Sequence, residues 1–283
     1  MSNLKIKSRL LYLSAIPILF ILVLSSIILY EIYQEKKNLE VTKNRIFEAH
    51  AISRVIHYMQ IERGLTSGFI ARGDLDRSDK KLNEARKNLN NAIENAKLTY
   101  LQITKNSDSF ILDVFNRIKL RDKEILINRP ILEAREYYTK HISILLSFIK
   151  MIPTMMEDRE NRNFIQAYSY LAFAKEALGQ TRATLMEVFT TKEFLDGVYV
   201  LTKEQLKVYD QNMKNFKTVT PEKLLNFHGR NFHTKEVEET FKIIENALGK
   251  RDIQGIEPHY WFEKATNTIN LLKITEDKLF ECI

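Results

Sequence analysis

Residues 10–30 read LLYLSAIPILFILVLSSIILY, 21 positions without a charge. A run of that length can cross the ~30 Å hydrocarbon core of a bilayer as a helix. Lys5, Lys7 and Arg9 precede it, and basic residues on the short N-terminal side keep that end in the cytoplasm. The expected organisation is a cytoplasmic N-terminus (1–9), a transmembrane helix (10–31) and a folded domain (35–283) outside the cell membrane, in the periplasm if the source is Gram-negative. A cleaved signal peptide is the competing reading. Its apolar region would run for about 7–15 residues and end at a small-x-small site, and neither condition fits.

The domain beyond the span reads as all-α. Of 283 residues, 45% are hydrophobic and 28% charged, with only 8 glycines and 5 prolines, a profile of helices joined by few tight turns. No linker-like or low-complexity tract divides it. Neither proline nor glycine occurs from Ile18 to Arg63, so the membrane helix is expected to continue into the domain and end at Gly73-Asp74. Further helices are expected over 77–104, 109–127 (stopping before Arg129-Pro130), 131–151, 159–189, 202–216, around KEVEETFKIIENAL, and from Pro258 onward. The last carries a stripe of Phe262, Ala265, Ile269, Leu272 and Leu279 and reaches Ile283 without a stop signal, as if the chain were cut within a helix.

Two of these helices carry charge where a core-facing seam should be apolar. Steps of three and four in the first give Ile46, Ala49, Ser53, Ile56, Gln60, Arg63, Ser67 and Ile70. In the helix from 159 they give Phe164, Tyr168, Leu171, Lys175, Leu178, Arg182, Leu185 and Phe189. An unpaired charge moved from water into a bundle interior costs several kcal/mol even after relaxation, so these cations require partners. Two readings follow. Glu62, Glu176 and Glu187 neutralise Arg63, Lys175 and Arg182 in a buried ion-pair network, or the cations line an anion pocket between the two helices. In the second, the planar fork of a guanidinium, charged at any relevant pH, matches a planar oxyanion. Gln60 and Ser67 would add neutral hydrogen bonds. Gly64, Gly68 and Gly179 would let a ligand or a partner backbone come close.

Other chemistry finds little support. His50 and His57 lack a carboxylate at metal-ligand spacing, and His228 and His233 fall in a predicted loop. Cys282 is the lone cysteine, which excludes an intramolecular disulfide framework. No nucleophile elbow, phosphate-binding loop or zinc-protease motif occurs, so no enzyme, cofactor or metal site is expected. The formal charge is +7, falling to +4 without the three residues ahead of the span. No basic block interleaved with aromatics points to nucleic acid. HYWF at 259–262 reads as a core or interfacial anchor.

Three pieces, MQIERGLTSGFIARG from 59, KEALGQTRATLMEVFTTKEFLDGVY from 175 and WFEKATNTINLLKITEDKL from 261, resemble in order and spacing the NIT domain. That family is a nitrate- and nitrite-sensing helical module of chemoreceptors, histidine kinases, cyclic-dinucleotide enzymes and cytoplasmic antiterminators. The resemblance covers about residues 40–280. It implies two stacked four-helix bundles sharing long helices, with nitrate or nitrite held by arginines that correspond here to Arg63 and Arg182. There are two departures. Many relatives carry a second basic residue beside the first arginine, where this chain has Glu62 or Gly64. They often carry a late arginine, where it has Phe241 with Lys242 alongside. A different binding mode, or a ligand other than nitrate, stays open. The expected function is an extracytoplasmic sensor of a transmembrane receptor, active in signal transduction and chemotaxis and working as a homodimer. The alternative is a membrane-anchored helical interaction protein that binds no small molecule.

Overall fold

The computed structural model describes residues 6–71, 80–104, 109–121, 130–194, 196–251 and 253–281. The helix end expected at Gly73-Asp74, the start at 77, the stretch 122–127 and Cys282 lie outside them. The fold is all-α. In chain order the helices are α1 (Ile6–Ala71), α2 (Lys80–Thr104), α3 (Phe110–Lys119), α4 (Ile131–Met151), α5 (Arg159–Thr191), α6 (Val198–Val219), α7 (Glu222–Phe232), α8 (Lys235–Glu245) and α9 (Pro258–Glu281).

α1 runs for 66 residues and continues through Pro17. Its apolar window is long enough to cross a membrane and buries nothing against the rest of the chain. From Thr42 onward one stripe turns inward. Thr42, Ala49, Ile52, Ile56, Met59, Arg63 and Thr66 are buried at steps of three, four and seven, the signature of a helix packed along one face. α5 shows the same periodicity in Phe164, Tyr168, Leu171, Lys175, Leu178, Leu185 and Phe189. Asp158 caps its first turn by accepting from the Asn161 N–H at 2.7 Å.

Two helix groups meet along α1 and α5. α2 and α4 flank α1, with α3 bridging them, while α6 and α9 flank α5 and α7 and α8 pack on α9. Ala49 shares a small core with Ile165, and Arg63 meets Glu176 further along, so α1 and α5 run parallel. α9 returns antiparallel to α5, with Trp261 at Arg182 and Phe280 at Tyr168. Trp261 is fully buried, the core anchor expected of HYWF.

The region read as a loop around His228 is helical. Pro221 opens α7, and Leu224, His228 and Phe232 form its buried face. His228 meets Thr275 Oγ1 at 3.1 Å and stacks on Phe232. α6 also extends beyond the expected 202–216 at both ends, starting after Gly197, whose φ of 80° needs a residue without a Cβ.

Polar groups are buried deep in the first group. Glu62 Oε1 accepts from Arg121 Nε and from the Tyr138 hydroxyl, each at 2.7 Å. Arg121 and Glu62 are both inaccessible to solvent, and the Arg121 guanidinium also donates to Asn90 and to two backbone carbonyls. Removing one partner of such a pair leaves the other charge buried and uncompensated. Arg121→Ala should therefore cost about 3–5 kcal/mol of unfolding free energy, read by denaturant titration of the detergent-solubilised protein. A loss below about 1 kcal/mol would show that Glu62 does not depend on Arg121.

Candidate anion-binding site

Arg63 projects from α1 onto α5. Its Nη1 and Nη2 donate to Glu176 Oε1 and Oε2 at 2.6 and 3.0 Å, a bidentate fork of the strong, charge-assisted kind. Nη1 also donates to Thr139 Oγ1 of α4 at 3.0 Å. Glu176 accepts two further bonds, from Gln60 Nε2 at 2.8 Å and Gln180 Nε2 at 2.9 Å. Burial alone would raise the Glu176 pKa. The Arg63 charge and the hydrogen bonds from Arg63, Gln180 and Gln60 outweigh it, and the carboxyl titrates below its ordinary range.

Arg182 projects the other way, from α5 toward α1. Each arginine lies against a glycine of the opposite helix. A Cβ on Gly64 would be 3.7 Å from Arg182 Nη2, and one on Gly179 would be 3.5 Å from Arg63 Nη2. Arg182 Nη1 donates to Thr266 Oγ1 at 2.7 Å, and its guanidinium lies over the Phe262 ring, 4.5 Å from the centroid. Its backbone carbonyl accepts from Trp261 Nε1 at 2.9 Å. Among the described residues no carboxylate pairs with it, and its Nε is buried without a hydrogen-bond acceptor. Burial first, then the charge on Arg63, lower its pKa to about 10, with Glu176 offsetting part of the fall. Arg182 remains charged at neutral pH.

The remaining sequence candidates divide. Gln60 joins the cluster through Glu176. Ser67 is half-buried one turn beyond Arg63, and no described hydrogen bond ties it to the arginines. Lys175 is buried, but its Nζ is 2.6 Å from Glu276 Oε2. That pair joins α5 to α9, because successive residues on a helix point about 100° apart. Glu62 serves Arg121, and Glu187 pairs with Arg135 at 3.0 Å, so neither neutralises the seam. Phe241 packs against Tyr209 and Phe232, and no described contact brings Lys242 to either arginine.

Thr139, Gln180, Thr266, Phe262 and Glu276 were not singled out as site residues by sequence reasoning. Gln180 was legible as the position one turn from Glu176. Glu276 was legible too, since it falls four residues after Leu272 and three before Leu279, inside the apolar stripe of α9. A surface cleft of about 630 Å³ between α1 and α2, lined in part by Lys43, Arg54 and Gln102, contains neither arginine.

The family model for nitrate and nitrite sensing, NIT, matches residues 54–283, which include both arginines. A solved structure, that of the NasR transcription antiterminator, is similar in fold. Its TM-score is 0.71 at 17% identity, over 87% of this chain and 69% of that one. Among curated proteins there is no significant match.

The uncompensated guanidinium has a consequence for stability. Replacing a buried ionic group by an apolar side chain of similar size is often neutral or stabilising. Arg182→Met should therefore raise the stability of the anion-free protein by about 1–3 kcal/mol, measured by thermal unfolding without added salts of oxyanions. A comparable loss would mean that the Thr266 bond and the Phe262 stack outweigh the charge.

Proposed function

Because the chain belongs to the nitrate- and nitrite-sensing (NIT) family, we propose that it is the extracytoplasmic sensor region of a transmembrane receptor, which binds one nitrate or nitrite ion between Arg63 on α1 and Arg182 on α5. The observation that carries the reading is Arg182, a half-buried cation whose Nε is sealed from solvent without an acceptor and which no described carboxylate neutralises. Nitrate is planar, and its oxygens match the fork of a guanidinium. It is too weakly basic to take a proton, so the receptor must supply a fixed positive charge, which arginine does.

The signal is a change in the relation of α1 to α5. A ligand shifts an equilibrium only if it prefers one arrangement, and here the preference comes from the charge on Arg182, unfavourable when alone and favourable when shared with an anion. A displacement of ~1–2 Å is within the range for helices at such interfaces. α1 is one helix from Ala71 back to Ile6, so the movement passes along it into the apolar segment and across the cell membrane. Lys5, Lys7 and Arg9 place the N-terminus inside, and a second copy of the chain is the expected partner in the bilayer. The role is sensory and not catalytic.

The alternative, a membrane-anchored interaction protein that binds no small ligand, draws support from two cations of the seam. Arg63 is paired with Glu176 and Lys175 with Glu276, as buried pairs that fix helix register would be. Arg182 separates the two readings.

Titration calorimetry of the full chain in nanodiscs with nitrate, nitrite and chloride should give saturable binding of at least one oxyanion. Arg63→Ala and Arg182→Ala should each weaken it by more than about tenfold. No heat with any of these anions would overturn the sensor reading, and an effect of either variant below about threefold would overturn the site.

A further inference from the structure

Glu176 occupies the position that an oxyanion would take on Arg63. It is planar, engages both Nη atoms and is saturated by Gln60 and Gln180. The charges that act on Arg182 are those of Arg63 and Glu176. Among the described residues, two guanidiniums and one carboxylate leave a single positive charge. The adjacent cation, Lys175, is already held by Glu276 and adds nothing to that balance.

From this geometry we infer that Glu176 is a charge selector: by neutralising one of the two arginines permanently, it limits the site to monovalent oxyanions and excludes divalent ones of the same shape. The inference rests on the anion site proposed above and adds the rule by which that site chooses. A monovalent ion brings the cluster to neutrality. A divalent ion such as sulfate would leave a net negative charge in a buried place, where the cost of an unbalanced charge is several kcal/mol. Neutral donors hold Glu176 in place without altering the count, since Gln60 and Gln180 contribute hydrogen bonds and no charge.

The substitution that tests it is Glu176→Gln, which keeps the shape and removes the charge. Its amide would place an NH2 where Glu176 has an oxygen that accepts from one glutamine and from one Nη of Arg63; the glutamine can accept by rotating its own amide half a turn, while that Arg63 Nη loses its acceptor and is left for the anion. With the carboxylate gone the two arginines carry two positive charges, matched to a dianion.

The experiment uses the full chain in nanodiscs and compares two tetrahedral probes, perchlorate with one negative charge and sulfate with two, as competitors of nitrate. In the wild-type protein perchlorate should displace nitrate while sulfate does so at least about a hundredfold less well. Equal displacement by the two, within about threefold, would overturn the inference, and so would rejection of both, because shape and not charge would then be selecting. In Glu176→Gln the sulfate affinity should rise at least about a hundredfold, and an unchanged preference would likewise overturn it. Equal displacement in the wild type overturns the inference even where the variant fails to fold. Absence of nitrate binding to the wild type would instead sink the sensor reading on which the inference rests.

Discussion

The bidentate bond between Arg63 and Glu176 crosses the interface where the two helix groups meet, and both charges must be satisfied there because both side chains are buried. Four hydrogen bonds converge on the carboxylate, two from Arg63 and one each from Gln60 and Gln180, and Thr139 takes a further donor of Arg63. The donors come from α1 and α5 and the last acceptor from α4, so the cluster fixes the register of three helices at once. A slip of one helical turn along α5 would carry Glu176 ~5.4 Å away and leave two buried charges apart. The apolar seams above and below are permissive by comparison, since Leu171 and Leu178 could pack against many neighbours.

Arg182 has no such closure, and its surroundings show how a lone guanidinium can be kept in a bundle. One face lies on Phe262, one nitrogen reaches Thr266, and the backbone beneath is held by Trp261. All three belong to α9, which therefore senses the state of Arg182 directly. Further along the same pair of helices, Lys175 and Glu276 tie α5 to α9 again, and Phe280 of α9 packs on His50 of α1. α9 thus touches α5 at the arginine and α1 at the end nearer the apolar segment. Arg182 is linked to the apolar end of α1 by two sets of contacts, one along α1 itself and one along α9.

The helices were legible because each carries a repeating apolar stripe or a proline boundary. α4 and the start of α9 fall where Pro130, Pro153 and Pro258 place them. The seam charges were legible for the same reason, since Arg63, Lys175 and Arg182 interrupt those stripes. Their partners were not, because sequence spacing gives the face of a helix and not the helix opposite. Glu62 neighbours Arg63 in sequence yet turns to Arg121 just beyond α3, and Glu187 turns to Arg135 on α4. Arg121 lies at the end of a short amphipathic segment, and nothing local marks it as buried. The loop reading at His228 failed because a single buried histidine between Leu224 and Phe232 breaks an apolar pattern only eleven residues long.

Gly64 and Gly179 bring these strands together. Glycine inside a helix costs roughly 1 kcal/mol relative to alanine, and alanine would fit at both places, with its methyl group at ordinary contact distance from the facing guanidinium. Packing against that guanidinium therefore does not account for either glycine. A methyl group would, however, cap the space into which each guanidinium can settle, and the two arginines are the groups that must move if an anion is to be shared between them. On the proposed reading, in which an anion is shared between the two arginines, the pair of glycines leaves Arg63 and Arg182 free to approach the opposite backbone.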